Sequence, residues 1–262
     1  MRIKLFVTTI LLCVPIASFA EKITVAVASN FMNTIKPIAK KFEGETGHTV
    51  TLVFGSSGKM FSQIRHGAPF DVFLSADQEK PERLIASGHA VKGSQFTYAQ
   101  GKLVLWVSKA DQYGIMGNTP EELTSPIFQS IIETEDYQFL AMANPKLAPY
   151  GVAALEVIEN LSKQTMNTEK IVQGENISQT FQFIFSGNAD LGFVALSQII
   201  DNNKVQLGST WIVPETLYSP IKQDAVLVKG KKPNKIAQQF LEYLANDSSK
   251  KMIKNAGYSL IH

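Results

Sequence analysis

Short apolar runs alternate with amphipathic helical stretches along most of this chain, and small-residue turns join them. KITVAVAS (22–29) reads as a buried strand. NTIKPIAKKFEGETG (33–47) reads as a helix with Ile35, Ile38, Ala39 and Phe42 on one face and Gly47 as its stop. HTVTLVFG (48–55) with GKMFSQIRHG (58–67), then FDVFLSA (70–76) with KPERLIASG (80–88), repeat the pair. KLVLWV (102–107), QFLAMAN (138–144), EKIVQG (169–174) and LGFVAL (191–196) are further predicted strands. YGVAALEVIENL (150–161) and ISQTFQFIFSG (177–187) are predicted helices between them. QDAVLVKG (223–230) forms a last strand before the helices KIAQQFLEYLAN (235–246) and SSKKMIKNAG (248–257). Strand–helix alternation of this kind implies α/β architecture with parallel strands. The natural division is two α/β lobes, 21–101 plus 222–262 and 102–221, between which the chain crosses twice.

The N-terminus stands apart from that pattern. MRIK is basic, LFVTTILLCVPIASF is apolar, and Ser18-Phe19-Ala20 offers small residues where a signal peptidase cuts. Residues 1–20 are therefore expected to be a cleaved signal peptide, since the apolar run is short for a membrane span. Cys13, the single cysteine, lies inside it without the small residue that precedes a lipidated cysteine. A mature chain without thiols excludes disulfides, thiolate metal ligands and cysteine nucleophiles, and export places it in a periplasm or similar space. Cleavage also removes Arg2 and Lys4 and no acid, which brings the 25 basic residues level with the 23 acidic ones. An electrically balanced chain offers no attraction for nucleic acid or an anionic membrane. Arg65 and Arg83 are the arginines left.

The stretch VFGSSGKM (53–60) resembles a shortened phosphate loop but lacks its spacing. That loop needs four residues between its first glycine and Gly-Lys, then Ser or Thr for magnesium. Here Ser56 and Ser57 alone separate Gly55 from Gly58, and Met60 follows Lys59. A nucleophile elbow centred on Ser57 would put Lys59 where glycine belongs. His48, His66, His89 and His262 are scattered through turns and tail without a zinc or catalytic spacing. No catalytic residue set, cofactor or bare metal ion is expected.

What remains is a set of strand-to-helix turns: ASN (28–30), GSSG (55–58), PYG (149–151) and ENIS (175–178). At each, free N–H groups and the positive end of a helix dipole make an anion site before any side chain is added. In open α/β sheets such turns line the crevice at the carboxyl ends of the strands. Ser29, Asn30, Ser56 and Ser57 are equally common N-caps, and a cap needs no ligand. Pattern alone leaves cap and anion site open.

The blocks VAVASNF, FGSSGKMFSQIRHGAPFDVFLSAD, FTYAQGKLVLWVS, NPKLAPYGVAALEVI, IVQGENISQTF and GNADLGFVALSQI, in that order and spacing, resemble the periplasmic molybdate-binding proteins of ABC importers. The resemblance spans essentially the whole mature chain. It implies a type II periplasmic binding protein, each lobe an open α/β sheet, with two crossover strands as hinge. It implies a monomer that captures molybdate or tungstate and delivers it to an inner-membrane permease. Its site positions fall on Ser29 with Asn30, on Ser57, and on the backbone N–H groups of Tyr150 and Ile177. Molybdenum would then be held only as its oxyanion, through Ser29, Ser57, Tyr150 and Ile177. One departure is visible: some members place a tyrosine hydroxyl where Ala195 stands here, and Asn30 is the residue expected to supply a compensating donor.

The residues agree with that implication. A fully deprotonated dianion accepts only, so its ideal site is all donors without a carboxylate. An organic acid would call for an arginine fork, and neither Arg65 nor Arg83 is placed to form one. Glu175 is expected to point away from the anion, and Lys59 to reach solvent. Sulfate, an organic acid or a ferric ion are the alternative ligands. Iron would need clustered tyrosines, and Tyr98, Tyr113, Tyr137, Tyr150 and Tyr218 are dispersed along the sequence. A serine hydrolase using Ser57 is the alternative of another class.

Overall fold

The computed structural model describes residues 20–108, 126–162, 167–201, 204–205, 208–230 and 234–261. The signal-peptide segment through Phe19, with Cys13, lies outside the described residues, as do Tyr113 and His262. The strands are β1 Lys22–Ala28, β2 Thr49–Gly55, β3 Val72–Leu74, β4 Phe96–Gly101, β5 Leu103–Val107, β6 Leu140–Ala143, β7 Ile171–Gly174, β8 Leu191–Ala195, β9 Ile200–Asp201, β10 Lys204–Val205, β11 Ser209–Ile212 and β12 Ile221–Leu227. The helices are α1 Met32–Thr46, α2 Ser57–Arg65, α3 Glu79–Ala86, α4 Pro126–Thr134, α5 Pro149–Leu161, α6 Ile177–Phe185, α7 Leu196–Ile199, α8 Lys235–Leu244 and α9 Asp247–Asn255.

Two five-stranded sheets organise the chain, in the orders β2-β1-β3-β12-β4 and β11-β5-β8-β6-β7. Each has three parallel strands, β1–β3 in one and β6–β8 in the other, followed by one antiparallel strand, β12 or β5. That antiparallel strand is the one arriving from the other sheet. β4 runs into β5 through Lys102 alone, and β11 returns to β12, so paired crossovers join two mixed α/β halves. β9 and β10 form a small separate hairpin.

The elements follow from their sequences. α1 buries Ile35, Ile38, Ala39 and Phe42 against the first sheet, and Gly47 closes it at φ 73°, where only glycine avoids a Cβ penalty. α8, capped by Asn234, covers the same face with Phe240 and Leu241, while α2 and α3 cover the opposite face with Met60, Ile64 and Leu84. In the second sheet α5 packs Ala154, Val157 and Ile158 on one face, and α6 places Ile184 on the other. The predicted strands and helices all have counterparts. β4, β11 and α4 had none in the sequence reading. β4 mixes polar and apolar residues without alternation, β11 is four residues long, and α4 is a short helix whose start signal, Ser125 before Pro126, the sequence reading did not take up.

Candidate functional site

Register brings the expected turns together. Ala28 lies opposite Gly55 in the β1–β2 pair, so the chain leaves both strands side by side into Ser29–Asn30 and Ser56–Ser57. Ala143 lies opposite Gly174 in the β6–β7 pair, which sets the approach to α5 beside that to α6. Four helix starts thus share one cleft, and direct hydrogen bonds span it. The Gly58 N–H donates to the Leu147 carbonyl at 2.9 Å, linking the start of α2 to the loop before α5. The Ser178 hydroxyl donates to the Ser29 carbonyl at 3.3 Å, linking the start of α6 to the end of β1. The Ser197 hydroxyl donates to the Asn30 carbonyl at 3.0 Å. Ala28 and Ala76 from the first half join the apolar cluster of Ala148, Tyr150 and Ile177 from the second. The halves are closed on one another.

All five expected site residues are buried in this region. Ser56, not Ser57, caps α2: its Oγ accepts from the Lys59 N–H at 3.3 Å. Ser57 is therefore free of the capping role. Its Oγ accepts from the Ala76 N–H at 2.9 Å, which leaves its own proton to donate. Ser29 and Asn30 sit in a 3-10 turn before α1 and cap nothing with their side chains. The hydroxyl of Ser29 has no partner among the described residues. Tyr150 follows Pro149 in the first turn of α5, and Ile177 opens α6 behind the Asn176 cap, so neither N–H has an intrahelical acceptor.

The side chain of Asn30 does not fill the gap at Ala195. Its Nδ2 donates to Gln223 Oε1 at 2.9 Å and to the Tyr258 hydroxyl at 3.1 Å, so both amide hydrogens are committed inward. What Asn30 retains for a ligand is its backbone N–H. Glu175 does point outward, as expected, but Lys59 does not simply reach solvent: its Nζ lies 3.4 Å from Glu175 Oε2, across the mouth of the cleft.

Tyrosines dispersed in sequence converge in space. Tyr98 OH lies 3.1 Å from both the Ser75 carbonyl and Gln223 Oε1, Gln223 Nε2 donates to Tyr150 OH at 3.3 Å, and Tyr258 OH lies 2.9 Å from both the Asn30 carbonyl and Ser197 Oγ. Burial, more than any neighbouring charge, raises all three hydroxyls, Tyr258 to about 12 and Tyr98 and Tyr150 well above their ordinary range. They stay protonated at neutral pH, the opposite of the tyrosinates a ferric site requires. Among the described residues no three His, Cys, Asp or Glu side chains converge to hold a metal. His48, His66 and His89 are engaged with Glu21, Ser62 and Ser87, and the bond that the Ser57 hydroxyl makes among the described residues is to the Ala76 N–H.

A small, buried, carboxylate-free set of donors between two α/β halves joined by paired crossovers defines a two-lobed solute-binding protein. The chain belongs to the bacterial extracellular solute-binding proteins, whose family model matches residues 23–259. It is 44% identical over 244 residues to a molybdate-binding protein ModA of Azotobacter vinelandii, covering 93% of this chain and 92% of that one. A ModA of Rhodobacter capsulatus is 43% identical over 239 residues, covering 91% and 88%. The solved structure of the Azotobacter vinelandii periplasmic molybdate-binding protein superposes with a TM-score of 0.80 at 38% identity, covering 92% of this chain and all of that one.

Proposed function

We propose that this chain is the receptor of a molybdate importer, which closes on molybdate or tungstate and presents it to an inner-membrane ABC permease. One observation carries the reading: in a chain 44% identical to a molybdate-binding protein, five buried residues in four strand-to-helix turns offer hydrogen-bond donors, and none of the five is a carboxylate or an arginine. Ser29 and Ser57 donate hydroxyls, and Asn30, Tyr150 and Ile177 donate backbone N–H groups. Hydrogen phosphate would need an acceptor, and a carboxylate ligand an arginine fork. Each charge-assisted bond is worth about 1.5–3 kcal/mol, so these five together outweigh the several kcal/mol lost on association. Longer metal–oxygen bonds, and not charge, would separate molybdate from sulfate.

The lobes would be 21–101 plus 222–262 and 102–221, moving about the β4–β5 and β11–β12 crossovers. Residues 1–20 would direct the chain to the periplasm, where it would act as a monomer without catalysis or cofactor. The test is a melting titration of residues 21–262 with molybdate, tungstate, sulfate and phosphate. Molybdate and tungstate should stabilise by about 2.7 kcal/mol at a hundredfold excess over Kd. Equal protection by sulfate, or none by molybdate, overturns the reading.

A further inference from the structure

Gln223 lies on β12, completely buried, at the point where the two halves meet. Its Oε1 accepts from Asn30 Nδ2 at 2.9 Å and from the Tyr98 hydroxyl at 3.1 Å. Its Nε2 donates to the Tyr150 hydroxyl at 3.3 Å. The orientation of the amide is self-consistent: Nδ2 of Asn30 only donates, and the acceptor end of Gln223 faces it. The donor end is then left for Tyr150. One side chain thereby ties the turn that carries Asn30 in the first half to the helix start that carries Tyr150 in the second.

The last residue of β4, just before the crossover, makes room for this link. A Cβ on Gly101 would overlap the Tyr150 hydroxyl and sit 2.8 Å from Gln223 Nε2. Tyr150 thus has two functions on one residue: its N–H faces the cleft, while its hydroxyl is held by the opposite half.

We propose that Gln223 is a positioning residue for anion capture: its amide sets the separation between donors of the two halves, and so the size of anion the closed cleft accepts. The inference rests on the oxyanion reading above and assigns its size selectivity to a group that never touches the anion. Without the link, Asn30 and Tyr150 keep their N–H groups but lose their common reference. A cleft with slack fits the larger anion less well and penalises the smaller one less.

The experiment compares wild type, Tyr150→Phe, Gln223→Leu and the double variant of the mature chain. Molybdate and sulfate are titrated separately, and molybdate dissociation is followed by stopped flow. Tyr150→Phe keeps the ring and the backbone donor and removes only the hydroxyl. Each single variant should raise the molybdate Kd about tenfold, chiefly through faster dissociation, as expected for a buried hydrogen-bonding group left unpaired. The sulfate Kd should change less, so the molybdate-to-sulfate ratio narrows. The double variant should be no worse than Gln223→Leu alone, since that change already breaks the bond to Tyr150 together with those to Asn30 and Tyr98. Equal loss toward both anions, unchanged binding by Tyr150→Phe, or multiplying effects would overturn the inference. Should Gln223→Leu fail to fold, Tyr150→Phe decides alone. Wild type that ignores all tetrahedral anions overturns the functional reading and this inference with it; wild type that binds beside an unaltered Tyr150→Phe overturns this inference only.

Discussion

The two halves reach the cleft by the same strand pattern and offer it different chemistry. In each sheet three parallel strands point their carboxyl ends at the cleft, and an antiparallel strand from the other half lies beside them. The first half presents serine hydroxyls at those ends, Ser29 and Ser57. The second presents Tyr150 and Ile177, whose side chains pack into the apolar cluster and whose donors at the helix starts are backbone N–H groups. A hydroxyl donor disappears with one substitution. A backbone donor survives every substitution except proline, so the second half should tolerate changes at its site positions that the first does not.

Ile177 gives that contrast its sharpest test and the largest expected effect. It is the first residue of α6, where proline is favoured, and Asn176 before it is extended at φ −152° and ψ 168°, as a residue preceding proline must be. Ile177→Pro therefore removes the N–H without breaking the helix. Ile177→Ala loses nearly the same buried side chain and keeps the N–H. Calorimetric titration should find the proline variant weaker for molybdate than the alanine variant by about 1.5–3 kcal/mol, one charge-assisted hydrogen bond. Equal affinities would remove Ile177 from the site. Tyr150 is less suited, because the residue before it is Pro149, already helical.

The serines come next, and they should differ from each other. Ser57→Ala loses a hydroxyl donor and also leaves the buried Ala76 N–H without its acceptor. It should cost about 1–3 kcal/mol in binding and lower the melting temperature of the ligand-free protein by a few degrees. Ser29→Ala removes a hydroxyl that nothing else among the described residues uses, so it should cost a similar amount in binding and leave ligand-free melting unchanged. Ser29→Ala with full affinity would show that its half needs only Ser57.

The same asymmetry decided what was legible in the sequence. Serines at a strand-to-helix junction are visible as residue types, and the alternation of elements predicted where the junctions fall. Backbone donors carry no residue signature; the turns PYG and ENIS were legible as helix starts, but Tyr150 and Ile177 as the particular donors came through resemblance to a known family. The amide network was not legible at all. Asn30 meets Gln223 across 193 positions and Tyr258 across 228, and no local period encodes such a contact. For that reason the tyrosines read as dispersed, although Tyr98 and Tyr150 meet one glutamine and Tyr258 joins them through Asn30. For the same reason Asn30 was expected to turn its amide to the ligand, whereas Gln223 and Tyr258 hold both its hydrogens.

The smallest effect concerns the one ion pair that joins the halves near the site among the described residues. Lys59 and Glu175 are more than half exposed and 3.4 Å apart, so their direct attraction is worth about 0–1 kcal/mol and is screened by salt. Their placement has a second consequence: Glu175 points outward but stands two residues before Ile177, close enough for its charge to act on a dianion held there. Paired, the two charges cancel there; Lys59→Met leaves the acid uncompensated, and Glu175→Gln leaves the base. If field, not tethering, is what matters, the two substitutions act with opposite sign. Lys59→Met should weaken molybdate binding by about two- to fivefold, Glu175→Gln should tighten it slightly, and the double variant should return near wild type. Half-molar salt should flatten all three differences. Weakening by both single variants would instead make the pair a tie between the halves, and the contrast between hydroxyl and backbone donors would then have to include an ionic contribution to closure.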